Sequence, residues 1–81
     1  MTVRAEFYSR LREIVGAPAV DIQLPDAATV HELVEKLCID YPRLRDFGKS
    51  MLFGIGVEFV NLEHVLREHD VIAIMPPVQG G

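Results

Sequence analysis

The chain has one cysteine and no tryptophan. A single thiol excludes an internal disulfide framework and a cysteine-based metal site, and it suits a reducing compartment. Basic residues are few: eight Lys and Arg stand against twelve Asp and Glu, giving a net charge of −4. With no basic cluster, there is no footprint for nucleic acid or an anionic membrane surface. No apolar run approaches the ~20 residues that span a bilayer. The opening Thr2-Val3-Arg4-Ala5-Glu6 alternates and has no signal-peptide apolar core. These absences predict a cytoplasmic protein that partners neither nucleic acid nor membrane.

Catalytic and metal signatures are missing as well. His31, His64 and His69 have no metal-ligand spacing and no cysteine or paired carboxylate to complete a site. They are expected to be solvated or capping residues. Gly54-Ile55-Gly56 is not a phosphate loop, because no Lys-Ser/Thr and no helix start follow it. No nucleophile–base pair is evident. At 81 residues there is room for one domain that buries about 60–65% of its unfolded surface. Hydrophobic residues at 49% and charged residues at 25% fit a folded chain. A deep enclosed pocket with its own machinery does not fit in so small a core. A carrier, a binding module or a subunit is favoured over a stand-alone enzyme.

What is present reads as strands around one main helix. Val3, Ala5 and Phe7 alternate with polar residues, the period of a half-buried strand. Ser9 to Gly16 reads as a short helical turn stopped by glycine. Val20, Ile22 and Leu24 alternate again, predicting an antiparallel partner for the first strand. Thr29 and Glu32 form a capping box ahead of an apolar stripe of Val30, Leu33, Val34, Leu37 and Cys38. Cys38 is therefore expected to be a structural thiol. Pro42 ends this helix at Tyr41. Residues 43–50 predict a turn or irregular helix. Residues 51–60 predict one strand, with Gly54 and Gly56 marking a bulge or a close backbone approach. Residues 62–68 predict a connection holding a short strand. Val71 to Met75 is continuously apolar, as for a central strand buried on both faces.

That element order predicts an α+β, ubiquitin-like β-grasp: a mixed sheet of four to five strands with one main helix on one face. First and last strands would pair in parallel at its middle. Residues 1–75 would form the body and residues 76–81 an extended tail, Pro76-Pro77-Val78-Gln79-Gly80-Gly81. The two prolines are stiff and hold the tail off the body. The two glycines have no Cβ and can thread where a side chain does not fit. Extended, Val78 to Gly81 would span roughly 13–14 Å. This suits a terminus inserted into another protein's active site and modified at its carboxylate.

Two segments carry a family resemblance. Phe7 to Gly16 is similar to the F-x-x-x-L-R-E-x-x-G segment of molybdopterin synthase small subunits, and Pro76 to Gly81 is similar to their P-P-V-x-G-G ending. Asp70 and residues 71–75 resemble their last strand. The thiamine-pathway sulfur carrier shares the fold and the Gly-Gly end, and usually lacks the other two signatures. The resemblance implies that Gly81 is the reactive residue. An ATP-using, ubiquitin-activating-type adenylyltransferase would form its acyl adenylate, and sulfur would replace AMP to give a thiocarboxylate. Pro77, Val78, Gln79 and Gly80 would insert into the large synthase subunit. There the sulfur would be donated to a pterin precursor for the molybdenum cofactor. No cofactor would be bound by this chain, and ATP would be used by the activating enzyme. The assembly would hold two small and two large subunits. Two positions depart from the family pattern: Ile55-Gly56-Val57 stands where Val-Asn-Gly is common, and His69-Asp70-Val71 where Gly-Asp-Glu is common. His69 would then take a left-handed conformation.

Alternation also predicts a docking patch. Tyr8, Phe59 and Met75 would share the open sheet face beside the tail. Arg10, Arg12 and Glu13 match the family segment, though a surface ion pair explains them equally well. Alternatives for the chain are a carrier for thiamine, tungsten cofactor or tRNA thiolation, a ubiquitin-like modifier joined through Gly81 to lysines, and a plain interaction module.

Overall fold

The computed structural model describes residues 1–77, with the side chains of residues 48 and 49 left aside. Strand β1 (Thr2–Phe7) is followed by a short helix α1 (Arg10–Val15), strand β2 (Ala19–Gln23) and the main helix α2 (Val30–Asp40). A 3₁₀ segment (Pro42–Ser50) leads into β3 (Leu52–Ile55), β4 (Glu58–Val60) and β5 (Val71–Met75). The five strands form one sheet in the order β2-β1-β5-β3-β4. β5 lies at its centre, parallel to β1 and antiparallel to β3.

The alternating residues of β1 fall as expected: Val3, Ala5 and Phe7 are buried. Between them, Arg4 opposes Asp21 across the β1–β2 pair, with Nε to Oδ1 at 3.1 Å. Helix α2 starts at the predicted box, where the Thr29 hydroxyl accepts from the Glu32 N–H and the Glu32 carboxylate accepts from the Thr29 N–H. Its Val30, Leu33 and Leu37 are buried against the sheet. On the inner face Phe7 and Phe53 both lie in register with Ile74, and Phe53 also with Val60.

Three expectations need correcting. Residues 51–60 are not one bulged strand but a hairpin, closed by the Ile55–Glu58 pair around Gly56 and Val57. Gly56 has φ 61° while Val57 is not left-handed. That is the pattern of a type II′ turn, in which glycine takes the first central position. No strand forms in the 62–68 connection, where a single bridge joins Val65 to Thr29. β5 is central in the sheet but not buried on both faces. Ile72 and Ile74 are buried under α2, whereas Val71 is exposed and Ala73 and Met75 are half-covered on the open side.

Three non-glycine residues occupy turn positions that favour glycine: Ser9, Ala27 (φ 63°, in the turn closed by the Ala28 N–H donating to the Pro25 carbonyl) and His69. His69 has φ 67° at the third position of the Arg67–Asp70 turn, closed by the Asp70 N–H donating to the Arg67 carbonyl at 3.0 Å. This is the left-handed geometry predicted for it. Ser9 has φ 57° and ψ −132°. It follows Tyr8 in a turn closed by the Leu11 N–H donating to the Tyr8 carbonyl at 3.2 Å. An L-residue held there stores about 1–3 kcal/mol, partly offset by the extra entropy a glycine loses, about 0.5–1 kcal/mol. Ser9→Gly is therefore expected to stabilise the fold by about 1 kcal/mol, readable by urea denaturation. A loss of stability would show that the Ser9 side chain contributes more than its backbone costs.

Candidate functional site

The open sheet face is ordered in rows by strand register. One row crosses all five strands as Ala19, Glu6, Ala73, Gly54 and Phe59. Its middle is its lowest point, because alanine and glycine lie side by side between Glu6 and Phe59. The next row towards the tail pairs Leu52 with Met75, and Tyr8 continues β1 beside it. The Tyr8 N–H donates to the Ile74 carbonyl at 3.2 Å, which ties the end of β1 to the last strand.

These residues enclose a shallow depression of about 230 Å³. Tyr8, Met75 and Phe59 stand around a floor of Gly54 and Ala73, with the Gly56–Glu58 turn on one side. A Cβ on Gly54 would stand 3.5 Å from the Glu58 carbonyl oxygen and 3.6 Å from Met75 Cε. Both are ordinary contact distances, so glycine here keeps a hollow open rather than avoiding a clash. Phe59 is 75% exposed and Tyr8 48%. The Tyr8 hydroxyl donates to Glu6 Oε1 at 3.5 Å, the one charged group beside the hollow in this row. Apolar side chains grouped on an exposed face beside a concavity mark a surface built to be covered.

The predicted trio of Tyr8, Phe59 and Met75 is thus brought to one depression. Gly54 and Ala73 belong with it, Leu52 lies beside it through its pairing with Met75, and sequence reasoning missed all three. Their signal is the register of the β3–β4 hairpin, which is invisible when residues 51–60 are taken as a single strand. Met75 ends β5, and Pro76 and Pro77 continue from it half-buried. The remaining tail residues, Val78, Gln79, Gly80 and Gly81, lie outside the described residues. Among the described residues no group of His, Cys, Asp and Glu is placed to hold a metal ion. Cys38 is half-buried on α2, on the opposite side of the sheet.

A family model described as the ThiS family matches residues 5–81. The chain belongs to the ThiS family. It is 31% identical to the molybdopterin synthase sulfur carrier subunit of Escherichia coli strain K12, over 98% of this chain and 99% of that protein. It is 28% identical to small archaeal modifier protein 3 of Haloferax volcanii, over the whole of both chains. The crystal structure of SAMP1 from Haloferax volcanii superposes with a TM-score of 0.86 at 25% identity, covering 100% of each chain. The five-stranded mixed sheet with its packed helix is the ubiquitin-like β-grasp expected from the element order. In this ThiS-family chain both departures from the small-subunit pattern fall at turns. Gly56 and Val57 form the turn beside the hollow, while His69 sits where the connection returns to Thr2, its N–H donating to the Thr2 carbonyl at 2.8 Å. No helix among the described residues is long and apolar enough to cross a membrane.

Proposed function

We propose that this chain is a sulfur carrier, the small subunit of a molybdopterin synthase. The Gly81 carboxylate is a poor acyl donor, because its leaving group would be oxide. A ubiquitin-activating-type adenylyltransferase joins it to AMP from ATP and releases pyrophosphate. A sulfur nucleophile then displaces AMP and leaves the thiocarboxylate. Residues 76–81 act as the tail and residues 1–75 as the body that presents it. The tail enters the large subunit, whose groups bind the pterin precursor that receives the sulfur. The observation that supports this reading is the apolar hollow on the open face, whose wall includes Met75, the last residue of β5 before the prolines. One partner can cover the hollow and take the tail at once.

The similarity to an archaeal modifier protein favours one second reading, a ubiquitin-like modifier joined through Gly81 to lysines of other proteins. Incubation with the activating enzyme, ATP and a sulfur donor, followed by intact-mass measurement, separates the two. Exchange of one oxygen for sulfur at the last residue supports the carrier. Lysine-linked conjugates without that exchange support the modifier. Neither product sinks both.

Docking gives a further expected outcome. Phe59 is exposed, so Phe59→Asp leaves the fold intact but sets a charge where a partner would exclude water. An aromatic anchor at the centre of an interface is worth about 2 kcal/mol or more. Affinity for the large subunit, measured by calorimetry, is expected to fall at least about thirtyfold. An unchanged affinity would remove Phe59 from the docking surface.

A further inference from the structure

A second concavity lies on the other side of the sheet, along the flank of α2. Its volume is about 480 Å³, roughly twice that of the hollow on the open face. Val34 and Cys38 of α2, Leu44 of the 3₁₀ segment, Phe53 of β3 and Leu62 line it. It exists because α2 covers the middle of the sheet and stops short of the β3–β4 end. Ile39 forms one wall and is 70% exposed, a ridge beside a groove rather than part of a closed pocket. The rim carries both signs of charge. Glu35 Oε1 lies 3.1 Å from His31 Nε2, and Arg45 has no ion-pair partner among the described residues.

We propose that this flank is a two-fold interface between two copies of the chain. An isologous contact requires one patch that complements itself. This patch offers an apolar ridge, an apolar groove, an acidic group and a basic group together. Under a two-fold operation each Ile39 ridge enters the neighbouring groove, and Glu35 of each copy meets Arg45 of the other. A small ligand would use the groove but leave Ile39 in water and Arg45 unmatched. The interface is small and its rim exposed, so the dimer is weak and reversible. It leaves the open face of both copies free, and it does not depend on the sulfur chemistry.

Sedimentation equilibrium of the full 81-residue chain, from micromolar to millimolar concentration, tests this. The expected result is a reversible monomer–dimer equilibrium. Ile39→Asp counts twice across the two-fold and raises the dissociation constant at least tenfold. Glu35→Arg and Arg45→Glu each weaken the dimer, and the double variant recovers most of the loss. Exposure of all three side chains keeps the variants folded, which thermal melting checks, and Ile39→Ala gives a milder form of the same test. A chain that stays monomeric at millimolar concentration overturns the proposal. So does a dimer that resists Ile39→Asp and is broken by Phe59→Asp, which would place the contact on the open face.

Discussion

On the proposed function, deleting Gly81 is expected to slow sulfur loading at least about a hundredfold and to leave the melting temperature unchanged. The shortened chain still ends in a glycine carboxylate, so its terminal group has the same intrinsic reactivity. What changes is reach. One residue fewer withdraws the carboxylate by about 3.3–3.6 Å. Misplacing a reacting group by about 1 Å can cost a hundredfold in rate, so the activating enzyme is expected to adenylate the truncated end at least a hundredfold more slowly. Stability should not move, because β5 ends at Met75 and the sheet is complete before the tail begins. Gly81→Ala separates reach from bulk: it restores the length and adds one methyl to the acyl donor. Rate of thiocarboxylate formation by intact mass and melting by calorimetry are the two readouts. Loading of the deletion variant at the full rate would take Gly81 out of the mechanism.

The proposed split between a tail that reacts and a body that presents it bears on what the sequence made legible. Elements specified by neighbours along the chain were legible: the alternation of Val3, Ala5 and Phe7, the Thr29–Glu32 box, the stop at Pro42. Elements specified by partners across the sheet were not. The β3–β4 hairpin hides in the apolar run from Met51 to Val60, where Gly56 is the one mark of the turn. A glycine at the first central position of a two-residue loop was the available signal. The continuous apolar composition of β5 was misleading for a different reason. Val71 and Ala73 face outwards, yet they read as buried because an apolar face covered by a partner has the same composition as one covered by the chain's own second layer. Tyr8 and Phe59 escaped that confusion, since their aromatic rings lie outside the run. Gly54 and Ala73 did not, because a hollow is defined by side chains that are small or absent, and Leu52 was hidden with the register of the hairpin.

The body's side of this division is tested most severely at Ile74. This residue is 1% exposed. It lies between Phe7 on β1 and Phe53 on β3, beneath α2, one position before the strand ends. Ile74→Ala removes the centre of that row. Truncating a buried isoleucine to alanine costs about 2–5 kcal/mol, with the upper values where the neighbours cannot close the cavity. Here collapse is resisted on both sides, because Phe7 and Phe53 are held by strand pairing at fixed spacing. A domain of this length has a total stability of only about 4–12 kcal/mol, so the variant retains a small margin. Its melting temperature is expected to fall by about 8–40 °C. A loss below about 1 kcal/mol would mean that the row repacks and that the core is looser than its burial implies. The functional consequence differs from that of losing Gly81. Below its lowered melting point the variant keeps an intact tail and should load sulfur at close to the normal rate. On warming, loading should fail together with the fold, because a tail whose strand has melted no longer leaves the body beside the docking hollow.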